Sequence, residues 1–281
     1  MNAWKEKLMQ GVFFIAACTS VLAVALICVF LFINGVPAMK EIGFVKFLTG
    51  TVWRPNNDIY GIFPMIMGSI YVTAGAILIG VPIGILTSVF MAKYCPKQIY
   101  PVLKGATELL AGIPSVVYGF FGLMVLVPIM RYVTGNGKSI LTAAILLSVM
   151  ILPTIVTVSQ SSLNALDPAL LEGALALGDS KERAVLRVMM PAASSGIMSS
   201  VVLGIGRSIG ETMAVVMVAG NQPRIPSSLL EGARTMTANI VLEMGYAADL
   251  HREALLATGA VLFVFILLIN LSFSLVRRKK K

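Results

Sequence analysis

The chain has 281 residues, of which 57% are hydrophobic and only 12% charged, about half the charged share of an ordinary soluble domain. That balance argues against a soluble enzyme and for a polytopic membrane protein. The net charge of +9 does not point to nucleic acid, because the basic residues flank apolar runs and end in Arg277-Arg278-Lys279-Lys280-Lys281, a pattern that fits membrane topology and anionic headgroups.

A membrane-crossing helix needs about 20 mostly apolar residues. Six stretches qualify: 12–33, 63–92, 106–130, 139–159, 192–219 and 254–276. The first follows a basic start, as in a signal peptide. Its apolar run exceeds the roughly 7–15 residues of a signal core and no small-residue cleavage site follows, so it reads as a retained helix. Cys18 and Cys28 lie in this span and Cys95 stands alone. With His251 as the single histidine, no zinc or iron ligand set and no disulfide framework is visible.

Segment 34–62 carries Phe44, Phe47, Leu48 and Trp53 and is expected to lie partly on the outer membrane surface. The second span contains Gly80, Pro82 and Gly84, which predicts a kink or break. The third contains Pro114 and the fourth Pro153. Gly137-Lys138-Ser139 resembles the end of a phosphate-binding loop. Tyr132 stands where that loop needs glycine, and the turn joins two membrane spans, so no nucleotide site is read there.

Loop 161–191 is the most informative polar segment. Asp167 followed by Pro168 starts a helix, residues 169–177 favour one, and Gly178 stops it. Asp179 or Ser180 can cap the next helix. Leu170, Leu171, Ala174 and Leu177 are left outside the membrane, where they either pack on the chain's own helix ends or dock a partner.

The fifth span reads GIGRSIGETMAV from Gly204 to Val215. On one continuous helix Arg207 and Glu211 share a face. Each charge costs about 2.5–3.5 kcal/mol at mid-membrane, so neither faces lipid. Gly204, Gly206, Ser208 and Gly210 provide small-residue spacing for close helix approach. Two readings stand: an ion pair that locks helices, or an anion path in which the guanidinium meets phosphate-like oxygens and the carboxylate weakens its hold. Segment 221–253, with Pro223, Pro226, Glu231, Arg234, Glu243 and Asp249, reads as a solvated connector with some helix.

Six spans place both termini on one side of the membrane. That side holds thirteen Lys and Arg against eight on the other, with Arg207 within the membrane, so the termini are expected in the cytoplasm.

Glu172-Gly173-Ala174, then Gly178, then Val188-Met189-Met190-Pro191 resembles the EAA loop of ABC importer permeases. Gly173, Val188 and Met190 are mild departures. The resemblance implies an all-α integral membrane protein with six transmembrane helices and the type I ABC importer permease fold. Residues 1–62 would form the first helix and an external connector, and 63–281 a five-span core with coupling loop 161–191. It also implies a coupling helix seated in an ATPase subunit, through Asp167, Pro168, Leu171, Glu172, Gly173, Ala174, Leu177, Gly178 and Asp179. YGIFPMIMGSIYVT (60–73), ELLAGIPSVVYGFFGL (108–123), GIGRSIGETMAVVMVAGN (204–221) and ARTMTANIVLEMG (233–245) are similar to permeases of the bacterial phosphate-specific importer, C type. The paralogous A type and a permease for another oxyanion are the alternatives. This likeness implies a bacterial inner-membrane complex with a paralogous permease, two ATPase subunits and an extracytoplasmic phosphate-binding protein. It would move inorganic phosphate along Arg207 and Glu211. ATP and Mg would be bound by the ATPase subunits, with no cofactor and no enzymatic activity in this chain.

Overall fold

The computed structural model describes residues 3–278. Helix α1 (Ala3–Ile42) leads to a short α2 (Phe44–Thr49) and a small antiparallel hairpin of β1 (Trp53–Arg54) and β2 (Ile59–Tyr60). Phe47 and Trp53 are buried with Tyr60, Ile62 and Met65, so the inward side of this segment belongs to a core. Phe44 and Val45 remain exposed. Backbone approach fixes the turn: a Cβ on Gly50 would meet Gly61 Cα at 2.9 Å.

Helix α3 (Phe63–Val89) is continuous through Pro82, so of the expected kink or break the break does not occur. The glycines serve packing here. A Cβ at Gly80 or Gly84 would come within 2.9 Å of Ile151 or 2.7 Å of Ile155 on α7 (Ile140–Asn164). Close backbone approach along this seam outweighs the one helical hydrogen bond a proline removes. Helix α7 is continuous through Pro153 as well. Its start explains the false phosphate loop: the Thr142 N–H donates to Ser139 Oγ at 3.2 Å, making Ser139 a helix cap.

The third span begins later than expected. Helix α4 (Tyr100–Gly112) has no buried residue and carries an exposed Lys104–Glu108 pair. Pro114 disfavours helical geometry at the preceding residue, and Ile113 is extended (φ −69°, ψ 126°). Helix α5 (Ser115–Phe121) then continues through a π-helical turn into α6 (Val127–Thr134), a 20-residue apolar span from Ser115 to Thr134.

Beyond α7 come α8 (Ala169–Ala176), α9 (Lys181–Ala184), a π-helical turn, α10 (Met190–Ala192) and α11 (Ser194–Gly210). The stretch Lys181–Ala192 meets α11 at a bend of 70°. Short helices α12 (Met213–Val218) and α13 (Met236–Glu243) precede α14 (Asp249–Arg278). Among the described residues, five helices are long and apolar enough to cross a membrane, and the bent pair makes up to six.

The central core joins Val72 and Ala76 of α3, Leu146, Leu147 and Met150 of α7, Tyr118 of α5, and Val215 and Val218 of α12. One end of the molecule gathers Val89, Leu163, Val185 and Met189 under α8. The other gathers the hairpin, the 134–140 turn and residues 211–248, joined by backbone bonds such as Ile140 N–H to Glu231 C=O (2.9 Å). Helix α1 packs antiparallel on α14, with Met39 and Ala254 in one cluster and Phe32 edge-on to Phe263 at 6.2 Å. Both described termini therefore lie toward the end that carries α8.

Candidate functional site

The charged pair of the fifth span does not form. Helix α11 stops at Gly210, and Glu211 is extended (φ −68°, ψ 130°). Helix α12 begins two residues on and needs acceptors for its first N–H groups. Glu211 Oε1 supplies them, accepting from Thr212 N–H at 3.1 Å and Ala214 N–H at 3.2 Å. A carboxylate at a helix N-terminus also meets the positive end of the helix dipole. The Glu211 carbonyl accepts from the Thr237 hydroxyl of α13 at 3.1 Å. Glu211 thus holds a helix break, which the continuous-helix reading missed.

Arg207 points elsewhere. Its Nη1 lies 3.4 Å from Thr154 Oγ1 on α7, and it joins no ion pair among the described residues. Both Arg207 and Glu211 are half-buried. The small residues divide between two surfaces. Gly204 would meet Ile155 at 3.3 Å and Ser208 is buried, whereas a Cβ at Gly206 or Gly210 would meet nothing within 4 Å. The expected close approach is made inside the chain by Gly204 alone of the three glycines.

At the opposite end, loop 161–191 follows its sequence signals closely. The Ala169 N–H donates to Asp167 Oδ1 at 2.9 Å, and Pro168 opens the helix. Gly178 closes it in the left-handed region (φ 90°). Its N–H donates to Leu175 C=O (3.0 Å) and the Asp179 N–H to Ala174 C=O (3.1 Å), a Schellman motif. Ser180 caps α9 by accepting from Arg183 N–H at 3.3 Å. Asp179 instead lies 3.6 Å from Arg183 Nη1 in an ion pair. The expected exposed face needs correction. Ala174 is buried and Leu171 packs half-buried on the Val89–Met189 cluster. The apolar residues left open are Leu170, Leu175 and Leu177, the last 91% exposed, alongside exposed Asp167, Pro168, Glu172, Gly173 and Gly178.

The segment read as a solvated connector is built around a buried carboxylate. Glu243, 6% exposed, receives Arg234 Nη1 at 2.5 Å and Trp53 Nε1 at 2.8 Å, with His251 Nε2 also at 2.8 Å. Arg234 also donates to Asn221 C=O and to Asn239 Oδ1, each at 3.0 Å. Above this cluster lies a recess of about 710 Å³ lined by Arg54, Asp58, Tyr60, Tyr246, Asp249 and His251. The Tyr60 phenol is pushed up to about 12 by burial first, then by its hydrogen bond to Asp58 and by that carboxylate's charge. Burial, then the charge of Glu243, also raises Tyr246. The single histidine and a glutamate within one polar segment were the available signals. Their tryptophan partner lies 190 positions away. Among the described residues no three His, Cys, Asp or Glu side chains come together as a metal site.

Residues 80–281 match the family described as binding-protein-dependent transport system inner membrane component. The chain belongs to this family. A probable ABC transporter permease of Bacillus subtilis is 40% identical to it over 93% of this chain and 89% of the relative. The phosphate transport system permease protein PstC of Mesorhizobium japonicum is 36% identical, covering 86% and 81%. PstC of Haemophilus influenzae is 31% identical over 94% and 90%. Two solved structures share the fold at 17% identity. One is the inward-facing MetNI methionine ABC transporter (TM-score 0.65, 82% of this chain and 100% of that chain). The other is a bacterial alginate ABC transporter in complex with an alginate pentasaccharide-bound periplasmic protein (TM-score 0.66, 100% and 99%). The permease is thus an all-α, multi-span inner-membrane protein with the type I ABC importer fold.

Proposed function

We propose that this permease carries inorganic phosphate into the cytoplasm as one half of a heterodimeric pathway. Two ATPase subunits drive it and an extracytoplasmic phosphate-binding protein feeds it. The observation that carries the reading is likeness to phosphate permeases along at least four-fifths of their length, joined to a lone arginine in an apolar span. A guanidinium offers a planar fork of donors suited to phosphate oxygens and keeps its charge in the membrane. Both termini and α8 face the cytoplasm, in line with the excess of basic residues at that end. There α8 presents Leu170, Leu175, Leu177 and Glu172 to an ATPase subunit. ATP closes the ATPase dimer, α8 moves, and the pathway opens outward; hydrolysis resets it. Arg207 meets the anion, and Glu211 serves the pathway by fixing where α11 ends.

The test is uptake of labelled phosphate into proteoliposomes holding the whole complex, with ATP inside and binding protein outside. The wild type accumulates phosphate only when both are present. Arg207→Gln assembles, binds ATP and transports none. Normal uptake by that variant refutes the pathway role, and no phosphate uptake by the wild type refutes the substrate.

A further inference from the structure

Among the described residues, Thr154 is the helical threonine whose hydroxyl meets a charged side chain. Thr19, Thr107 and Thr258 each donate to the carbonyl four residues earlier, at 2.8, 2.8 and 2.9 Å. That is the usual way a helix satisfies such a hydroxyl. The buried hydroxyls of α7 are committed as well: Thr142 to Gly137 C=O, Ser148 to Ile145 C=O and Ser159 to Ser200, each at 2.7 Å. Thr154 makes no such bond among the described residues. Its half-buried oxygen meets only Arg207, at a long 3.4 Å. The Arg207 guanidinium has five N–H donors to place and, among the described residues, this one long hydrogen bond. The nearest carboxylate in sequence, Glu211, is occupied by the backbone of α12.

The proposed cargo has needs that arginine cannot meet alone. Near neutral pH phosphate carries anionic oxygens, which need donors, and at least one P–OH, which needs an acceptor. Arginine is donor-only, whereas a threonine hydroxyl has one O–H and two lone pairs. Building on the phosphate reading, we propose that Thr154 is a specificity-determining residue of this pathway. When the anion arrives, Arg207 turns its donors to the charged oxygens, and Thr154 Oγ1, released from Arg207, accepts a hydrogen bond from the P–OH. A fully deprotonated tetrahedral dianion has no proton for that acceptor and is passed poorly. The loose 3.4 Å contact suits this exchange, because little is lost when Arg207 leaves it.

The experiment compares wild type, Thr154→Val and Thr154→Ser as whole complexes in proteoliposomes, measuring phosphate moved per ATP hydrolysed and the KM for loaded binding protein. Valine keeps the shape and removes the hydroxyl. Expected for Thr154→Val is a fall of about tenfold in phosphate per ATP, the factor one hydrogen bond supplies, with KM unchanged. Expected for Thr154→Ser is recovery of most of it. Wild-type behaviour of Thr154→Val overturns the proposal, as does a serine variant no better than valine, which would mark a packing role. A wild-type complex that takes up no phosphate refutes the substrate reading itself, and this inference with it; the two failures are therefore distinct.

Discussion

Replacing Glu243 by alanine tests whether one buried carboxylate holds together the end of the molecule opposite α8. Glu243 is 6% exposed and faces Arg234 at 2.5 Å, with Trp53 and His251 each at 2.8 Å. Its removal leaves the Arg234 side chain, 15% exposed, without a counter-charge. Breaking such a pair costs about 3–5 kcal/mol. The Trp53 indole N–H, in a residue 5% exposed, loses its acceptor, which adds about 1–3 kcal/mol. Arg234 keeps its bonds to Asn221 C=O and Asn239 Oδ1, and terms within one network are not additive, so the net is about 4 kcal/mol. For a chain of this size that lowers the melting temperature by about 10 °C. Trp53 is one of two tryptophans, so its fluorescence follows unfolding of the purified complex in detergent. A drop under about 2 °C would refute the reasoning. The double variant Arg234→Met, Glu243→Ala should recover part of the loss, since it removes the stranded charge.

Glu211→Gln keeps an amide oxygen for the Thr212 and Ala214 N–H groups and should retain most uptake, whereas Glu211→Ala loses the cap and about 1 kcal/mol; equal uptake defects in both would return the role to the carboxylate charge. Gly178→Ala places a side chain in the left-handed region (φ 90°) at a cost of about 1–2 kcal/mol and should lower phosphate moved per ATP, while Gly173→Ala, with nothing within 4 Å of its Cβ in the chain, should leave the melting temperature of the chain unchanged. Tyr60, raised from 10.0 to about 12 in the folded chain, stays neutral there while the unfolded chain ionises, so its contribution is intact below pH 10 and is lost as pH rises through 12; Tyr60→Phe should flatten that alkaline loss in pH-dependent melting.

What was legible in the sequence was local. Asp167, Pro168, Gly178 and Ser180 set the ends of α8 and the start of α9 through bonds reaching no more than five residues, so their types sufficed. Apolar length alone placed most spans. The break at Glu211 was hidden because apolar residues continue on both sides, from Ile205 to Val218, and nothing in that composition marks where hydrogen bonding stops. At Pro82 the proline was visible, but the residues that Gly80 and Gly84 pack against in the continuous helix, Ile151 and Ile155, lie on another helix. Pro114 stood inside an expected span, yet only its extended neighbour Ile113 shows that the crossing starts at Ser115. The Glu243 cluster draws Arg234 and His251 from within nine residues, but its Trp53 partner lies 190 positions away, which no local pattern carries.

The break at Glu211 also bears on the work of moving an anion. In a cell whose interior is electrically negative, each negative charge carried inward climbs about 2.3 kcal/mol per 100 mV. Had Glu211 faced Arg207, the two would have cancelled, and an anion at that depth would meet a neutral pair. By fastening its carboxylate to the N–H groups of α12, the chain keeps that negative charge on the helix end and leaves Arg207 in no ion pair among the described residues. For the phosphate route proposed above, such a fixed charge would lower the barrier along the way and leave the end-to-end electrical work unchanged, so ATP hydrolysis still has to supply it.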